Sequence, residues 1–287
     1  MLTTLFNGKP ADAPPVNLFG DGLFETIAIR QGQPCLWVYH LQRLQRGCCR
    51  LGFPSPPLDQ LVAEVYQLAR PHAQAVLKIV LSFPPSPRGY QRSAEGQPDR
   101  YLSCYPWPQQ PLYHAISFPL HLQTCQTRLG CQPQLAGIKH LNRLEQILAR
   151  QELQPPAMEG VMCDQQGQVV EGIMSNLLIL QETDYITPLI KTCGIAGVVR
   201  QLVLDTAKQQ AIPVHEATLS LAELRQARAV YVMNSLLGVR QVAALDGQIY
   251  PATPLPDFVQ QVHQACFEPA SAYIGFRGDT KNHSEFC

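Results

Sequence analysis

Twenty-five prolines are the feature that most limits how this 287-residue chain can fold. Proline has no backbone N–H to donate and fixes φ near −65°, so it interrupts helices and central strands. The prolines cluster at 10–15, 54–57, 84–87, 106–111 and 251–256 and punctuate the chain into segments. The cluster at 106–111 reads as a linker between two domains. The expected division is a smaller N-terminal α/β domain over 1–105, a linker over 106–112, a larger domain over 113–270 and a polar, aperiodic tail over 271–287.

Periodicity assigns the segments. Residues 24–29 alternate as a strand, and Arg30-Gln31-Gly32-Gln33 reads as a hairpin turn. A helix is expected over 38–51 with Leu41, Leu44, Cys48 and Leu51 as its apolar stripe. A second helix follows over 58–69, then a buried strand over 75–82 and another over 101–105. His114, Ile116, Phe118, Leu120 and Leu122 alternate strictly and predict a strand. Leu141, Leu144 and Leu148, with Ile147 beside them, have helical spacing and place Lys139 at the mouth of a helix. Residues 160–163 and 169–180 read as strands around a turn at 164–167. Gly194-Ile195-Ala196-Gly197 leads into a helix over 198–209. Ser220 and Glu223 have capping-box spacing. A buried strand is expected over 229–233 and a last helix over 257–267.

Charge and cysteine usage exclude several classes. The formal net charge is zero, which argues against a nucleic-acid partner attracted by bulk electrostatics. No run of 18 apolar residues occurs, so no membrane span is predicted. The N-terminus lacks a basic start followed by an apolar stretch, so the expected location is cytoplasmic. Ten cysteines include no Cys-x-x-Cys pair and read as reduced thiols. No Cys/His spacing suits zinc, and no metal is expected.

Only six lysines occur: Lys9, Lys78, Lys139, Lys191, Lys208 and Lys281. Lys139 sits in Gly137-Ile138-Lys139-His140-Leu141-Asn142-Arg143-Leu144-Glu145-Gln146. That segment resembles the lysine segment of the aminodeoxychorismate lyases, which belong to the class IV aminotransferase family. Further matches recur in the family's order. They are Phe19-Gly20-Asp21-Gly22-Leu23-Phe24-Glu25-Thr26, His40-Leu41-Gln42-Arg43-Leu44, Arg88-Gly89-Tyr90, Val170-Glu171 with Ser175-Asn176-Leu177, Gly194 to Arg200, and Asn234-Ser235-Leu236. The resemblance covers roughly residues 17 to 245.

It implies a two-domain α/β fold of the fold-type IV, D-amino acid aminotransferase-like kind, with pyridoxal 5′-phosphate (PLP) in the cleft between domains. It implies that Lys139 carries PLP as a Schiff base and acts as the general base. Arg43 would grip the phosphate, with the backbone amides of Ile195 and Ala196 and the Ser235 hydroxyl as further donors. Glu171 would face the pyridine nitrogen and keep it protonated. Tyr105, Arg88 and Thr26 are candidates to face the substrate. The implied reaction converts 4-amino-4-deoxychorismate to 4-aminobenzoate and pyruvate, a step toward folate, in a homodimer.

Two departures stand out. Pro14-Pro15-Val16 replaces an Asp-Arg-Gly-like stretch, and residues 83–87 replace a basic, glycine-rich loop. The closest rival is an aminotransferase of the same fold acting on D-amino or branched-chain amino acids. A PLP-binding protein without turnover is the rival from another class. Lys78, inside a strand, is the rival amine, with a plain solvent-facing role as the alternative.

Overall fold

A computed structural model of the chain describes residues 3–11, 19–83, 90–92 and 96–269. Arg88, the stretch 14–16, most of the 83–87 loop and the 271–287 tail lie outside these residues. The chain divides into two compact units. One comprises Met1–Pro108, Ile138–Asn142 and Phe267–Cys287, and the other Gln109–Gly137 and Arg143–Cys266.

The first unit is built on a six-stranded sheet. Its strands are β1 (Thr3–Phe6), β2 (Lys9–Pro10), β3 (Gly22–Arg30), β4 (Gln33–Pro34), β5 (Gln74–Ser82) and β6 (Asp99–Tyr105), in the order β2-β1-β6-β5-β3-β4. All neighbours are antiparallel. Two helices, α1 (Trp37–Leu51) and α2 (Leu58–Ala69), pack on this sheet. Alternate residues of each strand point to opposite faces. Leu23, Ile27 and Ile29 of β3 and Leu77, Ile79 and Leu81 of β5 share one face and are buried.

Helix α1 turns a different face inward from the one its leucines predict. Leu44 and Cys48 are buried as expected, but so are His40, Arg43 and Gly47, while Leu41 and Leu51 are only half-buried. The reason is a polar partner in the sheet, Glu25, described below.

The second unit contains a nine-stranded sheet. Its strands are β7 (Leu120–Leu129), β8 (Glu159–Asp164), β9 (Val169–Gly172), β10 (Asn176–Gln181), β11 (Asp184–Pro188), β12 (Val214–Ala217), β13 (Ala229–Asn234), β14 (Gly238–Leu245) and β15 (Gln248–Ile249). The order is β12-β11-β10-β13-β14-β7-β8-β9, with β15 on β14. Helices α3 (Leu144–Glu152), α4 (Val198–Gln210), α5 (Leu221–Gln226) and α6 (Asp257–Ala265) complete it. One core cluster gathers Leu120, Val161, Leu177, Val230, Val232 and Val242. The Ser220–Glu223 capping box forms in full at the start of α5.

Two local expectations are corrected. The alternation over 114–122 does not form a strand there. The strand starts at Leu120, after a short 3-10 turn at Pro111–Tyr113 and a further turn closed by the Phe118 N–H to the Ala115 carbonyl. Pro119 supplies no ladder donor, and buried Arg240 donates to the Leu112 and Ala115 carbonyls, which fixes the stretch in turns.

The helix expected at Lys139 begins only at Leu144, because residues 138–142 bond to β3 through their main chain instead. Its apolar stripe is also not a core face. Leu144, Ile147 and Leu148 are exposed, and the buried positions are Gln146 and Ala149.

Candidate active site

The residues singled out from sequence fall into one set in each unit. In the first unit the organising element is the Lys139 segment, which lies along the edge of β3. The Phe24 N–H donates to the Lys139 carbonyl at 2.9 Å, and the Leu141 N–H donates to the Gly22 carbonyl at 2.9 Å. Leu23 and His140 form an antiparallel bridge. Lys139 is thus held by main-chain bonds on both sides, not by helix propagation.

Gly22 is required for close approach, since a Cβ there would overlap the Leu81 carbonyl and crowd the Leu141 side chain. Gly20 is required for conformation, with φ +67°. The half-buried Lys139 presents Nζ 4.3 Å from the centroid of the Phe24 ring, a cation–π distance.

Beneath the same strand lies a buried polar cluster. Glu25 is 1% exposed and accepts from Arg43 Nε at 2.8 Å, from Arg43 Nη2 at 2.5 Å and from His40 Nδ1 at 2.6 Å. His40 and Arg43 are three apart on α1, one turn, so both side chains reach the strand. Burial alone would raise the Glu25 carboxyl, but the charges of Arg43 and His40 and their hydrogen bonds outweigh it and hold it down at about 2. Burial lowers the His40 pKa against the opposing pull of Glu25. Lys139 is among the charges acting on His40, which ties the lysine to this cluster.

Arg43 is therefore not a solvated helix arginine. Its Nε edge is committed to Glu25, a pairing that the i, i+3 spacing of His40 and Arg43 together with a buried Glu25 could have signalled. Thr26 and Tyr105 lie on the opposite face of this sheet from Glu25, by strand register.

In the second unit Glu171, on β9, is 3% exposed. It accepts the Ile195 N–H at 2.8 Å and Gln146 Nε2 at 3.3 Å, and Arg143 feels its charge. Gln146 and Arg143 were passed over in the sequence, since a polar residue in an amphipathic helix reads as solvated.

The loop before α4 is tied in three places. Asn176 Nδ2 donates to the Ile195 carbonyl at 2.9 Å, the Gly137 N–H to the Gly194 carbonyl at 2.8 Å, and the Ala196 N–H to the Gly137 carbonyl at 3.2 Å. Both amides expected to serve phosphate, Ile195 and Ala196, thus already have intrachain acceptors. Helix α4 starts at Val198 after Gly197 with no side-chain cap, so its first-turn donors are those of Val198, Val199 and Arg200. A Cβ at Gly197 would overlap Asn176 Oδ1, so glycine keeps that approach narrow. Buried Arg200 anchors the first turn through the Pro188 carbonyl and Glu216. Ser235 is half-buried in the turn after β13, where Asn234 Oδ1 accepts from the Leu236 and Leu237 amides at 2.9 and 2.8 Å.

Lys78 is exposed on β5, with Nζ 5.3 Å from the Tyr105 ring centroid. Among the described residues eight cysteines are free thiols, and of these eight Cys131 alone is exposed. Among the described residues no cluster of His, Cys, Asp and Glu could hold a metal ion. No described helix is long and apolar enough to cross a membrane.

Comparison with known proteins identifies relatives of this chain. The profile of the Amino-transferase class IV family matches residues 22–245. An aminodeoxychorismate lyase from Vibrio harveyi is 32% identical over 247 residues, covering 83% of this chain and 90% of that protein. A D-alanine aminotransferase from Listeria monocytogenes is 26% identical over 268 residues, covering 87% of this chain and 90% of that protein. The crystal structure of a 4-amino-4-deoxychorismate lyase from Pseudomonas aeruginosa superposes with a TM-score of 0.84 at 38% identity, covering 91% of this chain and 97% of that one.

Proposed function

Because the chain belongs to the amino-transferase class IV family, we propose that it is a PLP-dependent lyase that converts 4-amino-4-deoxychorismate to 4-aminobenzoate and pyruvate. The observation that carries this reading is the grading of similarity. The lyases match at 32% and 38% identity over more than four-fifths of the chain, and the aminotransferase at 26%.

The residues present fit the cofactor. PLP needs an amine, an anion seat and a carboxylate for its ring nitrogen. Lys139 supplies the amine. The uncapped first turn of α4, with its narrow glycine approach at Gly197, suits an anion. We therefore assign Val198 and Val199, in place of Ile195 and Ala196, as the amide donors to phosphate. Arg43 keeps the phosphate assignment, with Glu25 setting how much of its charge is left to share. Ser235 remains the hydroxyl donor. Glu171, oriented by Ile195 and Gln146, is assigned to the ring nitrogen.

When bound, PLP supplies a protonated conjugated ring that accepts the electron pair left by a broken C–H bond. The protein's part is proton movement and orientation. Lys139 Nζ takes the proton from the carbon bearing the substrate's amine. The enolpyruvyl group then leaves as the six-membered ring becomes aromatic, and Lys139 returns a proton to the methylene carbon of that group, which gives pyruvate. Glu171 holds the proton on the ring nitrogen throughout.

The exposed stripe of Leu144, Ile147 and Leu148 supports a second copy of the chain as partner, a homodimer. A cytoplasmic place in folate synthesis follows from the same reading.

The test is pyruvate release from 4-amino-4-deoxychorismate with no 2-oxo-acid acceptor present. Release by the wild-type holoenzyme is expected. Faster amino-group exchange between alanine and an acceptor would make this chain an aminotransferase instead.

A further inference from the structure

Glu159, at the start of β8, is a buried carboxylate that takes no part in the reaction or in the cofactor contacts assigned to this chain. It is 2% exposed, and among the described residues it enters no ion pair. Burial pushes its carboxyl up, against the pull of the hydrogen bonds it accepts. A carboxyl buried without a cation is tolerable only through such bonds. Oε1 accepts the Gly160 N–H at 2.9 Å. Oε2 accepts the Met174 N–H at 3.3 Å and the Ser175 hydroxyl at 3.0 Å.

Met174 and Ser175 belong to the connection 172–175 between β9 and β10. The Ile173 N–H donates to the Gly160 carbonyl at 3.0 Å, and the Gly172 N–H to the Ser175 carbonyl at 2.7 Å. Asn234 Nδ2 donates to the Met174 carbonyl at 3.1 Å. A Cβ on Gly172 would overlap Ser175 Oγ and crowd the Glu159 carboxyl, so the connection is packed directly on Glu159. Its two ends lead straight to cofactor contacts. Gly172 follows Glu171, and Ser175 precedes Asn176, which holds the Ile195 carbonyl. The Ile195 N–H in turn donates to Glu171.

We propose that Glu159 is a positioning residue: by fixing the Met174 peptide and the Ser175 hydroxyl, it sets the direction in which Glu171 meets the cofactor's ring nitrogen. A supporting residue of this kind matters because a site tolerates only about 0.5 Å of misplacement. This inference rests on the PLP reading and not on the choice between lyase and aminotransferase. Glu159→Gln tests it at nearly constant shape. Each carboxylate oxygen faces a main-chain N–H that cannot reverse, whereas glutamine has one acceptor oxygen and an NH2 group that only donates. The Ser175 hydroxyl can turn to accept from that NH2, so the Met174 N–H is left unmet.

The experiment has two readouts. Hydrogen exchange of the cofactor-free protein should show the Met174 amide exchanging about tenfold or more faster in Glu159→Gln, with the Ile195 amide also faster. In the holoprotein, PLP carrying nitrogen-15 in its ring reports the ring-nitrogen proton. Glu171→Gln sets the end point for loss of that proton. The Glu159→Gln resonance should lie between this end point and wild type. Ser175→Ala, which removes one donor and keeps the carboxylate, should move it less and in the same direction. Ser220→Ala, destabilised at a distant helix cap, should leave both readouts at wild-type values.

An unchanged ring-nitrogen resonance in Glu159→Gln would overturn the proposal and leave Glu159 a purely structural group. Exchange that rises equally throughout the second unit would overturn it as well. If Glu159→Gln does not fold, Ser175→Ala carries the same test with the same two outcomes. Wild type that takes up no PLP would sink the cofactor reading instead, while exchange in the cofactor-free protein still decides whether Glu159 holds the Met174 and Ile195 amides in place.

Discussion

Replacing Glu25 with glutamine probes the buried cluster beneath the Lys139 strand. The change keeps the side chain's shape and removes its charge, leaving Arg43 buried without its anion. The size of the effect follows from the carboxyl's own titration. Its pKa falls from 4.5 to about 2 on folding, and at 1.36 kcal/mol per unit this is about 3 kcal/mol of stability. The figure falls within the about 3–5 kcal/mol expected when one partner of a buried pair is removed.

The sign is fixed by the direction of the shift. A depressed carboxyl stabilises the fold fully above its unfolded pKa, near 4.5, and the contribution is lost as the pH falls toward about 2. Urea unfolding of cofactor-free protein at pH 7 should therefore show Glu25→Gln less stable by about 3 kcal/mol, with the slope unchanged. The difference between the two proteins should shrink as the pH is lowered below 4.5. A double variant, Glu25→Gln with Arg43→Met, should be less destabilised than the sum of the singles, because the uncompensated charge is gone. A single variant within about 1 kcal/mol of wild type at pH 7, far short of the buried-pair range, would refute the reasoning.

Gly197→Ala places a methyl group on Asn176 Oδ1, forcing Asn176 away from the Ile195 carbonyl. Equilibrium dialysis should show PLP binding weakened by about tenfold or more, equivalent to about 1.4 kcal/mol, with the far-ultraviolet dichroism unchanged. Ser220→Ala removes one half of the capping box at α5 and should cost about 1 kcal/mol in urea unfolding, with pyruvate release unaffected.

What the sequence disclosed depended on how local the signal was. The α1 and α2 helices, the strands β5 and β6 and the α5 cap are written in short-range spacing, and they form within a residue or two of the expected positions. The Lys139 segment could be singled out in the sequence by its resemblance, but its shape could not. Its leucines have helical spacing, yet residues 138–142 bond to β3, which offers main-chain groups at its edge, a partner more than a hundred residues away in sequence. The same limit applies to Glu25, whose burial is explained only when α1 brings Arg43 and His40 over it. Residues 114–119 misled for a different reason, since their alternation is overruled by Pro119 and by carbonyl contacts from Arg240. For Ile195 and Ala196, the motif could not tell which amides the fold itself consumes.

The central claim is that Lys139 is the amine that carries the cofactor. Its most direct test is borohydride reduction of the PLP-loaded protein, followed by peptide mapping by mass spectrometry. The account predicts one reduced cofactor adduct, on Lys139, and none in Lys139→Ala. An adduct on Lys78, or one that persists in Lys139→Ala, would contradict it and move the chemistry to another part of the chain.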